Sequence, residues 1–197
     1  MIDHVLKFST SAADSPELIV YDNKEGNPPA PTDVWHTDET FREVPPMGPA
    51  LCSKIIPDVG GDTAFANCYA AYDALSGGMK KLLAGRRARH EISPGNGNEH
   101  PVVIAHPDTG RPVLFVNDIF TRTITNLPPD EGAAILPFLV QHVSTPEFTY
   151  RHRWQEGDLV VWDNWAAQHY GVFDFDERRI VDRVAFVGEP LAPAEAP

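Results

Sequence analysis

The chain has 197 residues and a formal net charge of −12 at pH 7, with 42% hydrophobic and 22% charged residues. This length and balance are typical of one globular domain with a buried core, and we expect a single domain over residues 1–197. The acidic charge argues against nucleic acid and anionic membranes as main partners. No apolar run is long enough to span a bilayer, and the first residues lack the pattern of a signal peptide, which predicts a cytoplasmic protein.

Short strand signals dominate the chain. Stretches rich in apolar and β-branched residues, bounded by turn residues, predict strands over residues 18–21, 50–56, 62–65, 102–104, 113–116, 148–154, 159–162 and 180–186. The segment from His106 to Gly110 is typical of a hairpin turn between two of them. The last residues, 190–197, are rich in Pro and Ala and are expected to form a frayed tail.

Two helices are predicted beside these strands. The first begins near Asn67, a favourable N-cap, with a break at Gly77-Gly78 and a stop at Gly85. The second runs from about Pro129 to Val143, with Pro at its first turn and a kink expected at Pro137. Many short strands with few helices predict a mainly β protein, a double-stranded β-helix (jelly roll) core with a few flanking α-helices.

A basic group follows the first predicted helix. Arg86, Arg87 and Arg89 stand close together with His90. The simplest interpretation is a solvated helix end, where cations suit the helix dipole.

The sequence Trp35-His36-Thr37-Asp38 carries the most specific chemical signal, together with the distant His169. Residues i and i+2 of an extended strand point to the same face, so one strand can present His36 and Asp38 to one metal ion. Two imidazoles and one carboxylate are the protein ligands of a non-haem Fe(II) site that leaves positions open, which indicates an oxygenase. A lone His-x-Asp is also common as a loop-capping motif, so the prediction requires that the fold bring His169 close.

Two arginines follow His169 along the next predicted strand. The spacing places Arg179 and Arg183 on one strand face, which predicts two anion contacts on the metal side. A 2-oxo acid can chelate a metal through its carboxylate and keto oxygens, and its far carboxylate then suits an arginine fork. The alternative is that both arginines form structural ion pairs, with Asp174, Asp176 or Asp182 as partners.

Several motifs in register point to one family. They are WHTDETF at 35–41, GGDTAFAN at 60–67, AAYDALS at 70–76, LFVNDIFT at 114–121, the segment 154–169 with WDNWAAQH, and RRIVDR at 178–183. Together they resemble the TauD/TfdA family of Fe(II)- and 2-oxoglutarate-dependent dioxygenases, and the likeness spans roughly residues 17–190.

The resemblance implies a role for each matching residue. The Fe(II) ligands would be His36, Asp38 and His169. The distal carboxylate of 2-oxoglutarate would be held by Thr63 and Arg179, and the primary substrate would meet Arg183 and Phe120. Thr63 could also be an ordinary strand residue.

The implied reaction uses O₂ and converts 2-oxoglutarate to succinate and CO₂ while a small, anionic organic substrate is hydroxylated. A sulfonate, a sulfate ester or a carboxylate is the expected substrate. Family members are commonly oligomers, so a homo-oligomer is one expectation.

Departures from the family pattern keep other functions open. Glu39 stands where taurine dioxygenase has a small apolar residue, and an inward carboxylate would repel a sulfonate. The chain is short at its N-terminus, where His4 and Lys7 are the candidate stand-ins for substrate-binding residues, and the active-site cover over 91–101 is brief. One alternative is therefore a truncated relative that binds metal or 2-oxoglutarate without turnover. Another is a metal-dependent hydrolase, against which the paired arginines argue.

Overall fold

The computed structural model describes residues 17–23 and 32–196. The strands in this part of the chain are β1 Ile19–Asp22, β2 Gly48–Ile55, β3 Thr63–Asn67, β4 Arg87–Ser93, β5 Asn96–Pro101, β6 Val103–Ala105, β7 Pro112–Leu114, β8 Thr121–Ile124, β9 Thr149–His152, β10 Leu159–Val161, β11 Ala167–Gly171, β12 Ile180–Phe186 and β13 Ala192–Pro193. The helices are α1 Cys68–Ala74, α2 Gly77–Leu83 and α3 Pro129–Val143, with a 3₁₀ turn at Pro146–Phe148. Each predicted strand overlaps an observed one, and the mainly β class is confirmed.

Two antiparallel sheets enclose the central cavity of the molecule. One has the strand order β1-β12-β2-β10 and the other the order β11-β3-β9. The first sheet contributes Tyr21, Leu51 and Arg183 to the cavity wall, and the second contributes Thr63 and His169. Residues far apart in the chain therefore meet between the two sheets, as a jelly roll requires.

The helices begin and end where the sequence signals place them, with one difference. Asn67 caps α1 because its side chain accepts hydrogen bonds from the backbone of Tyr69 and Ala70. The predicted break at Gly77 is the start of a separate helix, α2, whose N-cap is Ser76. Gly85 has a φ of +69°, which glycine tolerates, and it ends this helical region.

The main apolar core lies outside the cavity, where α1 and α3 cover the strands behind it. Its fully buried side chains include Leu83, Ile104, Leu114, Ile124 and Leu139. A smaller cluster of Leu51, Trp154 and Val181 lies near the cavity. No helix in the described part of the chain is both long and apolar enough to cross a membrane.

The basic group after α2 lies at a helix end only in part, because Arg86 Nε donates to the carbonyl oxygen of Leu82 in α2 over 3.1 Å, whereas the residues after it form a strand. Arg87 and Arg89 lie in β4, which pairs with β5 on one side and with β8 on the other. Burial alternates along β4, with Ala88 and His90 buried and Arg87 exposed. This period of two is the strand signal, and long polar side chains on the outer face obscure it in the sequence.

Part of the tail also differs from expectation. Ala192 and Pro193 form β13 and pair with Ala105 and Ile104 of β6. The next residue, Ala194, donates its backbone N–H to the carbonyl of Val103 over 3.1 Å. An edge strand tolerates a proline, which lacks the N–H, so this composition does not prevent pairing.

Acid is expected to weaken the fold through His90. Burial, followed by the charge of His100, lowers the pKa of His90 to about 3. In the unfolded chain an imidazole has a pKa of about 6.5, so between these values only the unfolded state binds the proton. As the pH decreases from about 6.5 toward 3, this group should therefore lower the free energy of unfolding by up to about 1.4 kcal/mol per pH unit.

Urea unfolding at about pH 7 and about pH 5 tests this expectation. The variant His90→Gln keeps a polar side chain that cannot take up the proton, so it should lose less stability on acidification than the wild type. His169, whose pKa burial also lowers to about 3, contributes in the same direction in both proteins. An equal loss in wild type and variant would contradict the assignment to His90.

Candidate active site

The fold brings His36, Asp38 and His169 together at one wall of the cavity. One ligand atom from each lies within 4.8 Å of the other two. Asp38 Oδ1 is 3.5 Å from His36 Nε2 and 3.9 Å from His169 Nε2. Their role as metal ligands stays a prediction, but the convergence that it requires is present.

The backbone achieves this convergence in a way that differs from a single strand. His36 forms a β-bridge with His169. The backbone N of His36 is 3.0 Å from the carbonyl O of His169, and the N of His169 is 2.8 Å from the O of His36. Asp38, in contrast, lies in a turn over residues 38–41. The two histidines are therefore paired across the β-bridge, and the turn directs the carboxylate of Asp38 toward both of them.

The hydrogen bonds and charges around the three side chains suit a metal ion. His36 Nδ1 lies 2.8 Å from the carbonyl oxygen of Val34, and donation there leaves Nε2 as the nitrogen that faces the cluster. Burial, followed by the nearby His36, lowers the pKa of His169 to about 3, so this imidazole is neutral. Burial opposes ionisation of Asp38, yet Arg183 holds its pKa well below the ordinary value. A neutral His169, an ionised Asp38 and a His36 that turns Nε2 toward them fit a divalent metal ion.

Arg183 is buried beside the candidate metal site, on β12. Its guanidinium lies 2.9 Å from Asp38 Oδ2 and 3.5 Å from Glu39 Oε1. Asp38 thus turns one oxygen toward the histidines and the other toward Arg183. Glu39 also pairs with Arg42, so this carboxylate bridges two arginines. Arg183 thus forms an ion pair, as one alternative predicted, but with Asp38 and Glu39 and not with the predicted Asp174, Asp176 or Asp182.

Arg179 and Thr63 line the same cavity as the histidines and Asp38. Arg179 Nε donates to the carbonyl oxygen of Gly61 over 3.1 Å. Burial lowers its pKa to about 10, so the guanidinium remains charged at neutral pH. Within residues 17–23 and 32–196, no carboxylate forms an ion pair with Arg179. Asp174, one predicted partner, instead pairs with Arg151.

Trp154 links the two residues predicted to hold 2-oxoglutarate. Its Nε1 donates to Thr63 Oγ1 over 2.9 Å, and its ring centroid is 5.9 Å from the guanidinium carbon of Arg179. Trp154 was not predicted as a site residue. It ends the predicted strand over residues 148–154, and no sequence pattern indicated that it contacts this site.

Other cavity residues were also not anticipated. They include Tyr21, Asn23, Trp162, Phe173 and Phe175. Phe120, predicted to line the substrate pocket, is not among the residues that line this cavity, and its ring packs against Phe41 with centroids 5.2 Å apart. Its backbone instead joins the turn before β8. His4 and Lys7 lie outside the described residues.

Comparison with known proteins identifies the family of this chain. Residues 3–185 match the family described as "Taurine catabolism dioxygenase TauD, TfdA family". An alkylsulfatase of Acinetobacter baylyi is 34% identical over 204 residues, which cover 90% of this chain and 63% of that protein. An α-ketoglutarate-dependent 2,4-dichlorophenoxyacetate dioxygenase of Cupriavidus pinatubonensis is 34% identical, over 80% of this chain and 61% of that protein. The chain therefore spans less than two thirds of these relatives.

Solved structures show the same fold. The crystal structure of a taurine dioxygenase from Burkholderia xenovorans has a TM-score of 0.86 and 33% identity, and the match covers 96% of this chain and 68% of that one. The structure of AAD-2 in complex with Mn(II) and N-oxalylglycine has a TM-score of 0.78 and 28% identity, over 90% of this chain and 71% of that one. These likenesses confirm the predicted jelly roll and the predicted family. The chain belongs to the TauD/TfdA family of taurine catabolism dioxygenases.

Proposed function

We propose that this protein is an Fe(II)- and 2-oxoglutarate-dependent dioxygenase that hydroxylates a small, anionic organic substrate. One observation carries the proposal. The cluster of His36, Asp38 and His169 shares a cavity with Arg179, a buried cation that forms no ion pair with a carboxylate among the described residues. A metal-binding cluster beside an available arginine fork suits a ligand that chelates the metal with one end and carries an anion at the other.

Each residue of the cluster has a defined task in this proposal. His36, Asp38 and His169 would hold Fe(II), with Asp38 Oδ1 as the carboxylate ligand. When bound, Fe(II) supplies the reactivity with O₂ that couples decarboxylation of 2-oxoglutarate to C–H hydroxylation. The overall balance is one substrate C–H, one 2-oxoglutarate and one O₂, giving the alcohol, succinate and CO₂.

The far carboxylate of 2-oxoglutarate would bind Arg179 and Thr63. Arginine offers two parallel N–H donors to a carboxylate, and Thr63 can donate its hydroxyl proton because its oxygen already accepts from Trp154. The aromatic rings of Trp162, Phe173 and Phe175 also line the cavity and can pack against the bound cosubstrate.

The substrate proposal, a sulfonate, a sulfate ester or a carboxylate, is supported by Arg183 and by the names of relatives. A relative in Pseudomonas putida, 35% identical, is named as an α-ketoglutarate-dependent sulfate ester dioxygenase. Arg183 lines the cavity, and its positive charge can attract an anion. Its charge is already balanced by Asp38 and Glu39, so the cavity should bind anions less tightly than a lone arginine would.

Glu39→Gln is therefore expected to tighten the binding of anionic substrates by up to about tenfold, because it removes a negative charge next to Arg183. Equilibrium binding of the substrate to the Mn(II)- and 2-oxoglutarate-loaded protein measures the change. Glu43→Gln removes an exposed carboxylate from the same segment and should leave affinity unchanged. Weaker binding in Glu39→Gln would show that Glu39 contacts the substrate favourably.

Anaerobic addition of Fe(II) and then 2-oxoglutarate tests the proposed function. The chelate should produce a weak visible charge-transfer band, which His36→Ala should abolish. His142 lies outside the cavity and forms a hydrogen bond with the carbonyl of Ala71, so the control variant His142→Gln should keep the band. Succinate formation under O₂ is then measured with sulfonates, sulfate esters and aryloxy acids. A band without substrate-dependent succinate would favour the alternative, a relative that binds without turnover, and no band from folded protein would refute the proposal.

A further inference from the structure

The turn that carries the metal carboxylate has an unusual backbone. Glu39, directly after Asp38, has a φ of +53° and is not a glycine. Side chains with a Cβ rarely adopt this left-handed conformation, which persists only where the surroundings hold it. The turn has one backbone hydrogen bond of its own, from Arg42 N–H to the carbonyl of Glu39, and contacts with distant segments hold it further.

Asn164 makes such contacts on one side of the turn. Its Oδ1 accepts from the backbone N–H of Asp38 over 2.9 Å, and its Nδ2 donates to the carbonyl of Asp38 over 3.1 Å and to that of Pro46 over 2.9 Å. The side chain is fully buried. One amide thus binds the peptide groups before and after Asp38, which fixes both backbone dihedrals of that residue and the direction of its Cα–Cβ bond.

The β4–β5 hairpin holds the other side of the turn. Asn98 Nδ2 donates to the carbonyl of Phe41, and His100 Nε2 donates to that of Arg42, each over 2.9 Å. Thr40 Oγ1 lies 2.9 Å from His90 Nδ1. This hairpin includes the segment 91–101 that the sequence analysis interpreted as an active-site cover. These contacts show that the hairpin supports the turn that carries Asp38.

We propose that Asn164 is a positioning residue for the metal site, which presets Asp38 Oδ1 toward the two histidines before the metal binds. The inference rests on the proposed function, because it assumes that Asp38 is a metal ligand. Asn164 follows Asp163, whose Oδ1 accepts from the backbone N–H of Trp165 over 2.9 Å and shapes the loop that presents the amide. The amide is thus itself held in place by the loop and by Pro46.

Two variants of Asn164 test the role through Mn(II) affinity, measured by electron paramagnetic resonance on the protein without substrate. Asn164→Ala removes all three side-chain hydrogen bonds. Asn164→Asp keeps the size and an acceptor for Asp38, but a carboxylate cannot donate to the carbonyls of Asp38 and Pro46. We expect both to weaken Mn(II) binding on the order of 10- to 100-fold, the usual range for groups that orient ligands.

A matched control separates positioning from stability. Asn126 makes the same kind of two-sided contact elsewhere, since its Oδ1 accepts from Arg87 and its Nδ2 donates to Gly85, each over 3.0 Å. Asn126→Ala should lower stability yet bind Mn(II) like the wild type. Mn(II) affinities are compared only between proteins that near-ultraviolet circular dichroism shows to be folded. If Asn164→Ala does not fold, the Mn(II) affinity of Asn164→Asp tests the positioning role.

The outcomes are distinguishable. Wild-type Mn(II) affinity in folded Asn164→Asp would overturn the positioning role and leave the metal site intact. A wild-type protein that binds no Mn(II) would overturn the proposed function and this inference together.

Discussion

Asp38→Ala is expected to abolish Fe(II) binding and turnover together. The substitution removes the one carboxylate of the proposed ligand set, and the two remaining imidazoles, His36 and His169, cannot complete a facial triad. The loss of metal affinity should exceed about 100-fold, the upper range for residues that only orient a ligand. Isothermal titration with Fe(II) under anaerobic conditions, or with Mn(II), measures it.

The same substitution should also lower stability. Arg183 is buried and loses its nearer carboxylate partner, and breaking a buried ion pair costs about 3–5 kcal/mol. Glu39 remains 3.5 Å away, so we expect a loss below that range. Asp182→Asn is the control, because this residue on the same strand pairs with the exposed Lys54. If Asp38→Ala retained Fe(II) affinity, the assignment of the metal site would be contradicted.

Arg179→Ala should remove 2-oxoglutarate binding while it leaves the metal site intact. Truncating one side of a buried, hydrogen-bonded charge pair costs about 2–5 kcal/mol, or roughly 30- to 5,000-fold in affinity. The hydrogen bond of Arg179 is to Gly61, away from the proposed ligands, so Mn(II) affinity should not change. Titration of the Mn(II)-loaded protein with 2-oxoglutarate separates the two effects.

Conservative variants sharpen this test. Arg179→Lys keeps the charge but not the two-pronged donor, and its affinity for 2-oxoglutarate should fall between those of the wild type and Arg179→Ala. The neighbouring Arg178 is directed to Asp22 instead, so Arg178→Lys should bind 2-oxoglutarate like the wild type. If Arg178→Lys and Arg179→Lys lost equal affinity for 2-oxoglutarate, the effect would reflect a general disturbance of this region and not a contact of Arg179 with the ligand.

The strands that sequence patterns predicted are those with apolar residues between turn residues. β2 and β12 are examples, and they pair with each other through the centre of the larger sheet. β4, β5 and β8 were missed because polar residues occupy most of their outward positions, and β5 also contains the turn-forming pair Asn96-Gly97. Their inner positions are filled by residues such as His90 and His100, which periodicity scales do not count as core.

The same division applies to the candidate site. Chemically distinctive residues in spaced motifs, such as His36, Asp38 and Arg179, were predicted as site residues and do line one cavity. Tyr21, Trp154 and Asn164 were not, although each contacts one of the predicted residues or lines the same cavity. Aromatic and amide side chains are ordinary in strands and loops, so nothing in the local sequence separates a contact of this kind from core packing.

The sequence by itself determined which chemistry this protein can carry, because ligand types and their motifs are properties of individual residues. It also determined the mainly β fold, because apolar periodicity acts locally along each strand. Only the tertiary structure decided that Asp38 divides its two oxygens between the histidines and Arg183, and that Asn164 and the β4–β5 hairpin hold its turn. Apart from the local pair of His36 and Asp38, these contacts join segments more than fifty residues apart, so only the folded chain brings the atoms within bonding distance.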